Sequence, residues 1–254
     1  MAPLLDVRGI TVRFGGLTAV KDVSFGLESG ERVALIGPNG AGKTTLFNVL
    51  TGQLKPSEGS VVFKGKDITR LKVFARTHLG MARSFQITSL FPNQTVRVNT
   101  LIALQGTRKG RYDMFRRLLG DMETQAAAQR LLESADLWEL REEVVSSLAY
   151  GQQRKLEIAL SLASGPELLL LDEPSCGLTA TESAEITSRI RDLGSRITVL
   201  MIAHDMDLVF GVAERVILLH YGEIACEGTC DEIRANPLVR DIYLGTRKSL
   251  RPIG

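Results

Sequence analysis

Cysteine, aromatic residues, long apolar runs and an excess of either charge are all scarce in this sequence. Its three cysteines, Cys176, Cys226 and Cys230, are odd in number and lack the spacing of a disulfide framework, which suits a reducing compartment. Cys226 and Cys230 stand four apart, but none of the three histidines is placed to complete a zinc set. No apolar stretch approaches the roughly 18 residues of a membrane helix, and Asp6 falls where a signal peptide would stay apolar. The chain is therefore expected neither to span a membrane nor to be exported. Lysine and arginine (31) nearly balance aspartate and glutamate (29), and a net charge of +2 is too small for a protein whose work is coating phosphate backbones. Nucleic acid is not an expected partner.

What remains is the composition of a folded globular chain of 254 residues, 44% hydrophobic and 24% charged, long enough for a substantial core without disulfide staples. Leu5 to Phe14 and Lys21 to Glu28, punctuated by Gly15-Gly16 and Ser29-Gly30, predict antiparallel strands. Val33 to Ile36 is continuously apolar, as in a strand buried on both faces, and Thr44 to Thr51 predicts a helix stopped by Gly52. A further strand is expected at Ser60 to Phe63. From about Ile87 to Gly165 strands give way to helical patterns, such as Gln125 to Ser134 with Ala128, Leu131 and Leu132 on one face, which predicts an inserted helical subdomain. The α/β pattern resumes with strand Leu168 to Leu171, helix Glu182 to Leu193, strand Thr198 to Ala203 and a hairpin from Arg215 to Ala225. The predicted organisation is one domain, with 1–86 and 166–254 as an α/β core and 87–165 as the helical part.

Three motifs carry chemistry. Gly37-Pro38-Asn39-Gly40-Ala41-Gly42-Lys43-Thr44 fits G-x-x-x-x-G-K-[ST], a phosphate-binding loop. Its glycines let backbone N–H groups face a β-phosphate, Lys43 can reach the β and γ oxygens, and the Thr44 hydroxyl can ligate Mg²⁺. The apolar strand ending in Asp172-Glu173 delivers two carboxylates to the neighbourhood of that loop. Asp172 would hold Mg²⁺ largely through water and Glu173 would polarise an attacking water. His204 closes another buried strand, where open α/β sheets place ligands, and is read as a γ-phosphate sensor or as the proton partner of Glu173. His78 and His220 have no such context.

Leu148-Ala149-Tyr150-Gly151-Gln152-Gln153-Arg154 precedes a helix with Leu156, Ala159, Leu160 and Ala163 on its apolar face. The segment resembles the LSGGQ signature of ATP-binding-cassette (ABC) ATPases, and the resemblance covers essentially the whole chain. The fold it implies is a P-loop NTPase core of the RecA-like kind, with an antiparallel β subdomain and an inserted α-helical subdomain. It implies that Phe14 stacks on adenine, a position that a core strand residue would also explain, and that Val20 and Thr45 add nucleotide contacts. It implies that Gln86 touches the γ-phosphate and Mg²⁺ and links the core to the helical part. Ala149, Gly151 and Gln152 would contact the ATP of a second cassette in trans.

The LAYGQQ form, the opening Val12-Arg13-Phe14-Gly15-Gly16, Ala203-His204-Asp205-Met206 and the ending Asn236-Pro237 to Gly245 are similar to the ATPases of branched-chain amino acid importers. Urea and amide importers and lipopolysaccharide-export ATPases share much of this pattern. The implied partners are a related ATPase subunit, with a heterodimer expected before a homodimer, two membrane permeases and, indirectly, a periplasmic solute-binding protein. The implied location is cytoplasmic, peripheral on the inner face of the membrane. A non-transport ABC protein and a non-hydrolysing regulator are competing classes; the absence of heptads argues against the first, and Glu173 with His204 against the second. Ala149 replaces the signature serine, Thr179 stands where many relatives carry aspartate, and Val98 where the importers usually carry glutamate. Arg108, Lys109, Arg111, Arg116 and Arg117 form a basic cluster, read as a solvated surface, with anionic lipid or a membrane subunit as the alternative.

Overall fold

A computed structural model describes residues 2–84, 90–106 and 122–244. The N-terminal strands β1 (Leu5–Phe14) and β2 (Leu17–Leu27) form a hairpin, joined by β4 (Glu58–Phe63) and β5 (Lys66–Asp67) in an antiparallel sheet of order β2-β1-β4-β5. β2 starts at Leu17, earlier than the sequence pattern predicts, because the turn at Gly15-Gly16 already pairs Phe14 with Leu17.

The second sheet has six strands in the order β10-β9-β3-β8-β7-β6. Its members are β3 (Arg32–Ile36), β6 (Met81–Arg83), β7 (Leu168–Asp172), β8 (Thr198–Ile202), β9 (Arg215–His220) and β10 (Glu223–Thr229). All pairings are parallel except β9 with β10. The parallel strands are covered on both sides, which explains their unbroken apolar runs. Val33, Leu35, Leu168 and Leu170 face a core shared with the antiparallel sheet and with helix α1 (Lys43–Thr51). Ala34, Ile36, Leu169 and Leu171 face the opposite way, onto α6 (Ala180–Arg191) and α7 (Met206–Val212). Each such leucine contributes about 2 kcal/mol by leaving water.

The segment expected to be helical contains α3 (Val96–Gly106), α4 (Met122–Ser134) and α5 (Tyr150–Leu162), preceded in the chain by the short α2 (Val73–His78). Val96, Leu132, Leu137, Val145, Leu148 and Leu156 form its own small core. The chain ends its described part with α8 (Cys230–Ala235) and α9 (Pro237–Leu244). Among the described residues no helix is long and apolar enough to cross a membrane.

Two boundaries differ from the sequence pattern for a local reason. α6 opens at Ala180, not at Glu182, because Thr179 and Glu182 form a capping box that places Glu182 in the first turn. α5 ends at Leu162, so Ala163 is its C-terminal cap and Leu160 only half-buried.

α1 is fixed at its far end by a residue the sequence pattern passes over. Gly52 closes the helix, and the guanidinium of Arg76, 1% exposed, lies against its last turn. Arg76 donates to Val49 O (2.8 Å), Leu50 O (2.6 Å), Leu71 O (3.0 Å) and Thr69 O (3.1 Å). A cation at a helix C-terminus is favourable; burial nevertheless pulls the Arg76 pKa down to about 10, which leaves it charged at neutral pH. Replacing Arg76 by Met would keep the volume and strand these carbonyls, at a cost of about 3 kcal/mol. Urea unfolding should show that loss as a lower midpoint at unchanged slope, and a loss below about 1 kcal/mol would contradict it.

Candidate functional site

β3 ends at Ile36 and α1 begins at Lys43, so Gly37 to Gly42 form the connection between a buried strand and a helix N-terminus. Gly42 is the N-cap, with φ 101°, no capping side chain and no acidic residue in the first helical turn. The first N–H groups of α1 and the positive end of its dipole therefore have no counter-charge from their own helix, which makes an anion site. Only glycine fits at 42, because a Cβ there would strike the carbonyl oxygen of Ala19 on β2. The β9–β10 turn braces the loop: the Gly222 N–H donates to Ala41 O (3.0 Å), and the Lys21 N–H donates to Gly222 O (2.8 Å).

Lys43 is buried and donates from Nζ to Gly37 O (2.7 Å) and Pro38 O (3.0 Å), which holds the loop in a curl. Burial lowers the Lys43 pKa, while the charges of Glu173 and Asp172 act to raise it, so these three side chains share one space. Asn39, Gly40 and Thr44 are exposed, Pro38 and Thr45 half-buried, and Gly37 and Ala41 buried. Phe14, 50% exposed at the end of β1, is not a core residue. Val20 is fully buried beneath Gly42 and reaches the site only as packing under the loop.

Asp172 is the last residue of β7, and its Oδ2 accepts from Arg83 Nη2 at 2.6 Å. Arg83 also donates through Nη1 to Asn48 Oδ1 (2.8 Å) on α1 and to Gln53 Oε1 (2.9 Å). Glu173 departs from strand geometry with φ 47°, a conformation costing roughly 1–3 kcal/mol in a non-glycine residue and persisting only where the surroundings enforce it. Its N–H donates to Ile202 O at 2.9 Å, which ties it to the end of β8. Glu173 Oε1 lies 3.5 Å from His204 Nδ1, and both side chains are partly exposed. Asp205 fixes the chain just past His204 by capping α7 and accepting from the Ser183 hydroxyl (3.0 Å). His78 bonds Phe74 O and His220 packs on Tyr221, away from these groups.

Thr44 and Asp172 are hard oxygen donors of the kind Mg²⁺ takes. Among the described residues no three His, Cys, Asp or Glu gather into a metal cage. Gln86 and the basic cluster from Arg108 to Arg117 lie outside the described residues.

Ala149 caps α5, with its N–H donating to Gln152 Oε1 (3.0 Å). Gly151 lies against the carboxylate of Glu182, which a Cβ at 151 would strike. Arg154, deeply buried, donates to Asp172 O (2.9 Å), Glu173 O (2.5 Å) and Pro174 O (3.0 Å), and pairs with Glu157 at 2.7 Å. Sequence reasoning missed Arg83, Arg154 and Arg76. For Arg154 a signal existed, a charged pair at i and i+3 inside the apolar side of a helix; for Arg83 there was none.

A family model described as ABC transporter matches residues 20–176. The chain is 42% identical over 252 residues to the high-affinity branched-chain amino acid transport ATP-binding protein LivG of Salmonella typhimurium, covering 96% of this chain and 98% of LivG. It is 35% identical over 246 residues to the lipopolysaccharide export system ATP-binding protein LptB of Acidithiobacillus ferridurans, covering 96% and 98%. Among solved structures it is similar to an ATP-binding cassette of an ABC transporter in its ADP conformation, with a TM-score of 0.87 and 30% identity, covering 96% of this chain and all of that one (100%). A dimeric ATP-binding cassette in a post-hydrolysis state bound to ADP and Pi is similar at a TM-score of 0.75 and 26% identity, covering 89% and 98%. With most of its length matched by the family model and nearly all of it by relatives above 30% identity, the chain belongs to the ABC transporter family as an ATP-binding cassette.

Proposed function

We propose that this chain hydrolyses ATP as the motor subunit of an importer of branched-chain amino acids. The observation that carries the proposal is the convergence of Lys43, Asp172, Glu173 and His204 at one helix N-terminus, in a chain 42% identical to LivG over nearly its whole length. The higher identity to LivG than to LptB favours import of amino acids over lipopolysaccharide export.

In this mechanism Gly37 to Gly42 wrap the phosphates with backbone N–H groups, Lys43 exchanges its loop carbonyls for β and γ oxygens, and Thr45 adds a hydroxyl. Phe14 stacks on the adenine, and Val20 supports the loop from beneath. Mg²⁺, when bound, neutralises phosphate charge, and Thr44, Asp172 and Gln86 would hold it. Glu173 takes the proton of the attacking water, and His204 orients Glu173 and the γ-phosphate. Residues 1–86 and 166–254 act as the nucleotide core, and 87–165 as the part that carries the signature. Two cassettes face each other head to tail, Ala149, Gly151 and Gln152 of one closing on the nucleotide of the other through the Gly151 N–H and the α5 dipole. A related, non-identical ATPase is the expected second cassette, and two permeases with a periplasmic binding protein complete the transporter. The chain then sits peripherally on the cytoplasmic face of the membrane.

Glu173→Gln keeps the shape and removes the proton acceptor. Nucleotide affinity should stay within about threefold while turnover falls by two or more orders of magnitude, measured by phosphate release; wild-type turnover would remove Glu173 from the chemistry. The cargo is tested in the cell: deletion of the gene should abolish high-affinity uptake of radiolabelled leucine, restored by the wild-type chain and not by Glu173→Gln. Unchanged leucine uptake would overturn the importer assignment.

A further inference from the structure

Tyr150 stands where LSGGQ has its first glycine, and its side chain reaches out of the signature segment. Its hydroxyl donates to Cys176 O at 3.1 Å, on the loop that follows Glu173. The hydroxyl end of its ring approaches Gly177, where a Cβ would meet ring carbon and hydroxyl at 3.1 Å and where φ is +77°. The same loop folds back on Glu173, since the Cys176 N–H donates to Glu173 O at 3.1 Å. The phenol is therefore linked through one residue, Cys176, to the backbone of the residue held at φ 47°. Tyr150 is 44% exposed, so core packing does not account for it, and phenylalanine would fill the same space without the hydroxyl.

We propose that Tyr150 is a positioning residue, whose hydroxyl latches residues 173–177 to the signature segment and so keeps Glu173 in its left-handed conformation. The inference rests on the proposed role of Glu173. The latch acts within one chain: a shift of the signature segment, which faces the other cassette's nucleotide, is passed through Cys176 to Glu173 at the chain's own phosphate loop. Arg154 fixes the carbonyls on the buried side of this loop, and Tyr150 fixes the exposed side.

The test is Tyr150→Phe in the full-length chain, assayed with MgATP. Loss of this one hydrogen bond should lower kcat roughly five- to tenfold, with KM for ATP within about twofold of wild type and an unchanged unfolding temperature. Gly177→Ala, which crowds the ring and strains the loop backbone at φ +77°, should lower kcat by at least as much, and the double variant should fall no further than Gly177→Ala alone. A kcat within about twofold of wild type overturns the latch. So does a rise in KM matching the fall in kcat, which would put Tyr150 on nucleotide, or a fall in unfolding temperature that accounts for the lost activity. A double variant whose loss is the product of the two single losses also overturns it. Wild-type turnover in Glu173→Gln would instead overturn the assignment of Glu173 on which the latch depends.

Discussion

The N-terminus of α1 carries positive charge that its own helix does not neutralise, and the rest of the site is built around that constraint. Gly42 supplies no cap, the first turn holds no acid, and Lys43 adds a buried ammonium that donates to the carbonyls of Gly37 and Pro38. Such an arrangement survives because the helix is fixed from outside. Ala19 and the Gly222 turn press on the loop, Leu46 and Phe47 anchor the helix in the shared core, and Arg76 holds the opposite end. A bound anion would replace the ammonium–carbonyl bonds of Lys43, in which one partner is charged, by bonds in which both are.

Arginines connect this end of the molecule to the carboxylates. Arg83 joins Asp172 to Asn48 on α1, so the strand that bears the metal-binding candidate and the phosphate-loop helix are held in register. Arg154 does the same between α5 and the backbone of Asp172, Glu173 and Pro174. Removing the charge of a buried arginine would leave several carbonyls unpaired, so these links are stiff. One chain thus carries a phosphate loop and a signature segment bound to the same short stretch, 172–182, from different sides. In the proposed head-to-tail pair, that connection is a physical route between the two nucleotide sites.

The parallel strands β3, β7 and β8 and the phosphate loop were legible in the sequence because burial on both faces leaves unbroken apolar runs and because the loop spacing has few other uses, whereas the three-residue β6 was too short to show such a run. Asp172, Glu173 and His204 were legible for the same reason, each standing at the end of such a run. Glu173 leaving the strand with a positive φ was not legible, since the alternation of a strand predicts only opposite faces for neighbours. The Thr179-x-x-Glu182 spacing of a capping box was present in the sequence and was passed over. Arg83 and Arg76 escaped because their partners are backbone carbonyls and distant side chains, which pattern in a single sequence does not encode, whereas the i, i+3 pair of Arg154 with Glu157 was a signal passed over. Val20 matched a nucleotide-contact position and is buried under the loop instead of facing out of it.

The most direct measurement of the α1 constraint is calorimetric titration of MgATP into Lys43→Ala, with the unfolding temperature recorded alongside. If the unneutralised helix end and the buried ammonium bind the phosphates, affinity should fall by about 100-fold or more while the chain stays folded, because a desolvated charge-assisted contact is lost. Affinity within about threefold of wild type in a folded Lys43→Ala chain would place the phosphates elsewhere and contradict the account.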